Sequence, residues 1–230
     1  MKALKIAIVH SFTPPPQGAE LVVFCSGRSY IAHYDTPKML AAAVRYAKEH
    51  EVYLVTDCFV SDDHLCMCML DPNGEPVLGQ QAIYQNLSYR GLFKRSSELQ
   101  IAETPFGKVC LLVDVDINYP QVLRLACEKG AQLVIASSYI QLFDFYEDRI
   151  NYSALNAAAS NGVYVALVTN TGSCIAAPDG NYIAPFTDCL PIGGDIYPGE
   201  IAHDPKTFAF SRSLIGTHRD VLCEGVAVVI

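Results

Sequence analysis

The chain has 230 residues, of which 51% are apolar and 17% are charged, and 24 acidic against 16 basic residues give a formal net charge of −8. This composition supports a packed core and excludes a disordered chain. The negative charge argues against nucleic acid or an anionic membrane as the main partner. No apolar run reaches the roughly 18 residues that a membrane-spanning helix requires, and the N-terminal apolar run is too short for a signal peptide. We therefore expect a cytoplasmic protein.

The nine cysteines are odd in number and lie mostly in apolar segments, which is typical of reduced, buried thiols rather than of a disulfide framework. The one tight cluster is His64, Cys66 and Cys68, whose alternate spacing places all three side chains on one face of a strand. A metal site there would require a further ligand that the sequence does not offer. We expect a buried strand, and we predict neither a metal nor a cofactor.

The first half of the chain alternates short apolar runs with one amphipathic segment. Continuous apolar runs without alternation are typical of strands in a sheet that is covered on both faces. The turn signal at 71–74, Asp-Pro-Asn-Gly, predicts antiparallel neighbours within 51–80. The predicted elements are strands at 4–9 and 20–24, a helix at 38–50, and strands at 51–58 and 64–70.

The second half contains the clearest pattern, a β-α-β-α-β succession with short connections. It comprises a strand at 108–113, a helix from Pro120 to the closing Gly130, a strand at 131–138, a helix at 150–161 and a strand at 163–170. We expect turns at 178–180 and at Gly193-Gly194, and a strand-like tail at 225–230. No repeat or linker interrupts the chain, so we predict one domain of layered α/β architecture.

Two carboxyl groups follow the most apolar strand, at the sheet edge where functional groups of α/β proteins cluster. They are Asp114 and Asp116, placed just before the helix at Pro120. Such a pair supports acid–base chemistry if the two pKa values are pushed apart. The alternative is that a carboxyl group ties the loop to backbone N–H groups, and position alone favours that alternative.

The stretch from Thr104 to Ser137 resembles the core of the nitrilase, or carbon–nitrogen hydrolase, superfamily. The matching positions are Thr104, Gly107, Lys108, Asp116, Tyr119, Pro120, Gly130 and Ala131. Further similar segments are GAELVVF at 18–24, DPNGEPVLG at 71–79 and the landmarks around Asn170. The resemblance covers most of 1–185, and its order and spacing are specific.

This resemblance implies a four-layer α-β-β-α sandwich of the nitrilase type, here as a single domain over 1–230. The helix that the family has between its first two strands looks shortened to the proline-rich loop. Residues 186–230 look like a C-terminal extension that packs on the domain or on a partner subunit. Family subunits are often paired through helices, so the resemblance also implies a homodimer or a higher homo-oligomer.

The family's mechanism uses a thiolate nucleophile, a glutamate base and a lysine that stabilises the oxyanion. Carried over residue by residue, the glutamate position holds Ser26 and the cysteine position holds Asp114. The lysine position holds Tyr84 or, with the register moved by one, Gln85. Because the three groups act as a unit, the triple replacement implies loss of the hydrolase chemistry.

The first interpretation is therefore a pseudoenzyme that binds a small polar ligand or serves in an assembly. Beside the triad-equivalent positions, the pocket would include Asp116, Cys25 and Val115. The alternative is a carbon–nitrogen hydrolase with altered catalytic residues, acting through Asp114 and Asp116 as acid and base or through a relocated thiol. A relocated thiol, Cys25 or Cys110, would need a base or positive charge beside it, and neither has one in sequence.

Overall fold

The computed structural model describes residues 3–10, 12–26, 35–86, 91–139 and 147–201, and for 147–151 it describes the backbone alone. The predicted tail at 225–230 lies outside the described residues. The helices are α1 (Thr36–His50), α2 (Pro120–Glu128) and α3 (Glu147–Asn161). The strands are β1 (Leu4–His10), β2 (Leu21–Cys25), β3 (Tyr53–Val55), β4 (Phe59–Ser61), β5 (His64–Leu70), β6 (Pro76–Gln81), β7 (Ile101–Thr104), β8 (Gly107–Val113), β9 (Leu133–Ser138), β10 (Tyr164–Thr169), β11 (Ser173–Ala176), β12 (Tyr182–Thr187) and β13 (Ile192–Ile196).

The strands form two sheets. The first has the order β13-β1-β2-β3-β5-β4, with β6 also paired to β5, and its β1, β2 and β3 run parallel. The second has the order β12-β11-β10-β9-β8-β7, with β8, β9 and β10 parallel. The expected antiparallel neighbours within 51–80 are present, because β5 pairs antiparallel with β3, β4 and β6.

The two sheets pack face to face and carry helices on their outer faces. One core cluster lies between the sheets and draws side chains such as Ile8 from the first and Leu111 from the second. A second cluster packs the outer face of the second sheet under α2 and α3, and a third packs α1 on the first sheet. The predicted four-layer α-β-β-α sandwich is confirmed.

Strand β13 corrects one expectation. The Gly193-Gly194 pair was expected to form a turn, yet it lies inside β13, which pairs antiparallel with β1 at the edge of the first sheet. A Cβ atom on Gly193 would lie 2.5 Å from the carbonyl oxygen of Ile6, so this close approach of two backbones requires glycine. The glycines here permit strand pairing rather than chain reversal.

Three further expectations concern the segment between β1 and β2, membrane-spanning helices and the cluster at His64. Residues 12–20, between β1 and β2, form turns and bends in place of a helix. Among the described residues, no helix combines the length and apolar character needed to cross a membrane. Within the same residues, no group of three or more histidine, cysteine or acidic side chains is placed to hold a metal ion, and Cys66 lies buried on β5.

Candidate functional site

The carboxyl ends of the parallel strands of both sheets meet at one edge of the sandwich. The side chain of Ser137, in β9, donates to Asp57, which lies two residues after the end of β3 in the opposite sheet. At the same edge the thiol of Cys25, the last residue of β2, donates to the carbonyl of Thr169, the last residue of β10, at 3.5 Å. Polar groups at this edge therefore come from both sheets, as expected for a functional edge of an α/β fold.

Ser26 follows β2 and is bound tightly to Asp57. The backbone N–H and the hydroxyl of Ser26 each donate to Oδ2 of Asp57 at 2.7 Å. The position that the resemblance assigned to a basic glutamate thus holds a hydroxyl attached to a carboxyl group from the next strand.

Asp57 is a site residue that the sequence reasoning missed. It is 3% exposed, and beyond its two bonds from Ser26 it accepts the N–H of Cys58 at 2.8 Å and the hydroxyl of Ser137 on Oδ1. Four donors satisfy both carboxyl oxygens, which is how a buried carboxyl group avoids a large desolvation cost. The signal in the sequence is an acidic residue two positions after an apolar run, similar to the signal that indicated Asp114.

Asp114 occupies the sharp turn between β8 and the helical turn at Asp114–Asn118. Its φ is +54°, a left-handed conformation that is uncommon for a residue other than glycine and that tends to occur at functional sites. The side chain is 2% exposed. The N–H of Asn86 donates to Oδ2 at 3.4 Å, whereas Oδ1 is buried and has no hydrogen-bond partner among the residues that the structure describes. Buried side-chain oxygens in folded proteins nearly always accept a hydrogen bond, so Oδ1 of Asp114 is an exception among the described residues.

Burial raises the pKa of Asp114 to about 6, and the N–H groups of Asn86, Tyr139 and Val115 lower it in part. Val115, the next residue of the turn, acts on the carboxyl group through its backbone N–H. The groups that oppose the effect of burial on this pKa are backbone N–H groups, and no positively charged side chain of the described residues contributes. The position that the resemblance assigned to a nucleophilic thiol therefore holds a desolvated carboxyl group.

Asp116 lies two residues further and has a different environment. It is fully buried, and it accepts the N–H of Ile83 at 3.1 Å and that of Tyr84 at 2.7 Å. Burial raises its pKa to about 7, and the charge of Asp114 adds to this rise. Both of its oxygens bind the backbone of the segment after β6, so this carboxyl group fixes the path of that segment.

The two candidates for the lysine position, Tyr84 and Gln85, make different contacts. The Tyr84 ring stacks on Tyr119 with centroids 3.7 Å apart and planes 8° apart, beside α2. The Gln85 amide donates to the carbonyls of Phe93 at 2.6 Å and Lys94 at 3.0 Å. The next residue, Asn86, donates its backbone N–H to Asp114 at 3.4 Å.

The thiols of this edge are buried donors. The Cys58 thiol donates to the carbonyl of Ser137 at 3.5 Å, and desolvation followed by the charge of Asp57 raises its pKa well above the usual value. The pKa of Cys110 is raised by burial as well. Cys25 is 1% exposed and donates to a carbonyl. Thiolate is the reactive form of cysteine, so these surroundings oppose nucleophilic attack.

The fold is shared with solved structures of an amidase from Nesterenkonia sp. of the nitrilase superfamily. One variant structure is 17% identical, with a TM-score of 0.75, over 94% of this chain and 96% of that chain. The butyramide complex of another variant is 16% identical, with a TM-score of 0.72, over 84% of this chain and 91% of that chain. A third, with the acetamide moiety of fluoroacetamide added at its active-site cysteine, has 16% identity and a TM-score of 0.73 over 91% and 96% of the two chains.

Among curated proteins, no match to the sequence is found. The family model described as carbon-nitrogen hydrolase matches residues 17–188. That range is 172 of the 230 residues, about three quarters of the chain, and it includes the whole second sheet and the first sheet apart from β1 and β13. The chain therefore belongs to the carbon–nitrogen hydrolase family.

Proposed function

We propose that this chain is a non-catalytic member of the carbon–nitrogen hydrolase family that retains its polar edge as a binding site for a small polar ligand. The observation that carries the proposal is the state of Asp114. This residue stands where the resemblance places the nucleophilic thiol, and its carboxyl group is buried, with one oxygen unpartnered. Carboxylate attack on an amide would form a high-energy anhydride in place of a thioester.

The surroundings of Asp114 support the loss of chemistry. Cys25 and Cys58 are buried thiols that donate to carbonyls, so neither is poised as a thiolate. Tyr84 carries no charge and stacks on Tyr119, and Gln85 directs its amide to two backbone carbonyls. An oxyanion needs aligned donors, and these two side chains are engaged elsewhere.

The backbone supports the retention of a site. A non-glycine residue with positive φ at a strand-to-helix turn is the geometry by which nucleophile elbows present a side chain. Left-handed backbone costs roughly 1–3 kcal/mol and persists only where the surrounding structure enforces it. The chain thus keeps a strained turn although the thiol is absent, which favours a surviving role for the side chain at that position.

Turnover assays test the proposal directly. Purified protein is incubated with short amides, nitriles and N-carbamoyl compounds, and released ammonia is measured. We expect no release above that of the Asp114→Asn variant, which keeps the size of the side chain and tolerates the positive φ. Steady ammonia release by the wild-type chain that this variant lacks would overturn the proposal.

One observation favours a second candidate function, hydrolysis by Asp114 and Asp116 as acid and base. Their pKa values, raised to about 6 and about 7, lie where general acid–base groups work at neutral pH. Against it, Asp116 already binds two backbone N–H groups. This candidate predicts a rate that depends on pH between 6 and 7 and that Asp116→Asn abolishes, whereas the first predicts no rate at all.

A further inference from the structure

One hydrogen-bonding group at Asp114, its Oδ1 atom, is an acceptor that no donor of the described residues reaches, and this bears on the class of ligand. Asp114 Oδ1 is a buried carboxyl oxygen without a partner among the described residues, and the Ser26 hydroxyl donates to Asp57. Burial raises the pKa of the Asp114 carboxyl group, and the groups that lower it in part are backbone N–H groups, with no lysine or arginine among the described residues contributing. A ligand that supplies N–H donors complements such a site, whereas a ligand that supplies only acceptors does not.

The groups belong to one connected cluster. The Asp57 carboxyl group joins Ser26 to Ser137, and Ser137 is the register partner of Val113, the residue before Asp114. The Cys58 thiol lies close enough to Asp114 for the charge of that residue to raise its pKa. A ligand at Asp114 therefore experiences two carboxyl groups, of which Asp57 is already saturated and Asp114 is not.

We propose that the ligand of this site is a small organic cation with N–H donors, a primary ammonium or an amidinium, which donates to Oδ1 of Asp114. The inference deepens the proposed function and rests on it. The acidic cluster alone would not carry the assignment, and the second observation is the unpartnered oxygen of a side chain that is 2% exposed. A cation satisfies that oxygen and offsets the cost of its buried charge in a single contact.

Three small molecules of equal size and shape, which differ in charge and in the number of N–H donors, test which of these properties the site recognises. Acetamidinium, acetamide and acetate share one skeleton, and each carries a methyl group that ligand-detected NMR follows during titration with the protein. We expect acetamidinium to bind, and acetamide and acetate to bind at least about tenfold more weakly, because removing a charge-assisted hydrogen bond costs roughly that much or more.

Two variants locate the binding. Asp114→Asn keeps the shape and the backbone conformation but removes the charge, so we expect acetamidinium to bind roughly 10- to 100-fold more weakly. Asp195→Asn is the matched control, because it makes the same chemical change at an exposed position of β13, and we expect binding as in the wild type. Wild-type selectivity among the probes tests the inference even if the Asp114 variant does not fold.

The outcomes are distinct. Tighter binding of acetamide or acetate than of acetamidinium overturns the cation assignment and leaves a non-catalytic ligand site in place. Absence of acetamidinium binding assigns the unpartnered oxygen to solvent and also overturns the inference. Conversion of acetamide to acetate, seen as a new methyl signal in the same samples, overturns the proposed function itself.

Discussion

Asp57 and Asp114 occupy similar places in the two sheets and yet have opposite environments. Each follows an apolar strand at the edge where the sheets meet, and they are 3% and 2% exposed. Asp57 accepts four hydrogen bonds from Ser26, Cys58 and Ser137, whereas the N–H of Asn86 lies 3.4 Å from Asp114 Oδ2 and no donor of the described residues reaches Oδ1. The two carboxyl groups are equally buried, so they differ in how far the described residues satisfy their oxygens and not in exposure.

The same chemical change at the two positions should have opposite effects on stability. Asp57→Asn replaces an acceptor oxygen with an NH₂ group that faces existing donors. A hydroxyl can rotate, but the N–H of Ser26 or Cys58 cannot, so a buried donor loses its acceptor. We expect the free energy of unfolding to fall by about 3 kcal/mol, measured by urea denaturation.

The control for this prediction is Asp195→Asn on the exposed face of β13, which we expect to change stability by less than about 0.5 kcal/mol. A loss at Asp57 no larger than that of the control would contradict the role of this residue as the link between the sheets. Such a result would also mean that the hydrogen-bond partners of Asp57 and Asp114 do not explain a difference between the two carboxyl groups.

At Asp114 the same substitution should stabilise the protein, and pH should reveal it. Burial raises the pKa of this group from 3.8 to about 6, so the folded chain holds a proton there that the unfolded chain releases. The free energy of unfolding due to this group is highest below pH 4 and falls as the pH rises through 6. Asparagine does not titrate, so Asp114→Asn should gain about 2 kcal/mol relative to the wild type between pH 4 and 7.

Denaturation curves at a series of pH values measure this difference between the two proteins. Asp116 titrates in both, because burial raises its pKa to about 7, and it therefore cancels in the comparison to first order. A difference that stays constant with pH would mean that Asp114 is not desolvated. The stability of Asp114→Asn should exceed that of the wild type most near neutral pH, because there the wild-type carboxyl group is charged and buried. The proposed cationic ligand would offset that buried charge in the wild type.

Much of the fold could be predicted from local patterns. The apolar runs at 108–113, 131–138 and 163–170 became β8, β9 and β10 with bounds within a few residues, because strands covered on both faces need continuous apolar sequence. Strand β13 was missed because its glycines also suit a turn. Its role depends on the backbone of β1, far away in sequence, and no local pattern reports that contact.

The site was less predictable, because its contacts join distant parts of the chain. Asp57 was placed inside a strand predicted over 51–58, but β3 ends at Val55, and its partners lie 31 and 80 residues away. The positive φ of Asp114 also has no sequence signal. The family resemblance identified the positions to inspect, and the hydrogen bonds distinguished a saturated carboxyl group from an open one.

The smallest expected effect concerns the two hydroxyls that bind Asp57. Ser26→Ala removes one donor from Oδ2 while the backbone N–H of the same residue remains, so the loss of stability should be about 1 kcal/mol. Ser137→Ala removes the hydroxyl that joins the second sheet to Oδ1, at a residue only 4% exposed, and should cost more. Urea denaturation of the two variants and of the double variant gives both values and their coupling. A larger loss at Ser26 than at Ser137 would mean that Asp57 chiefly orders the end of β2 and does not hold the sheets together.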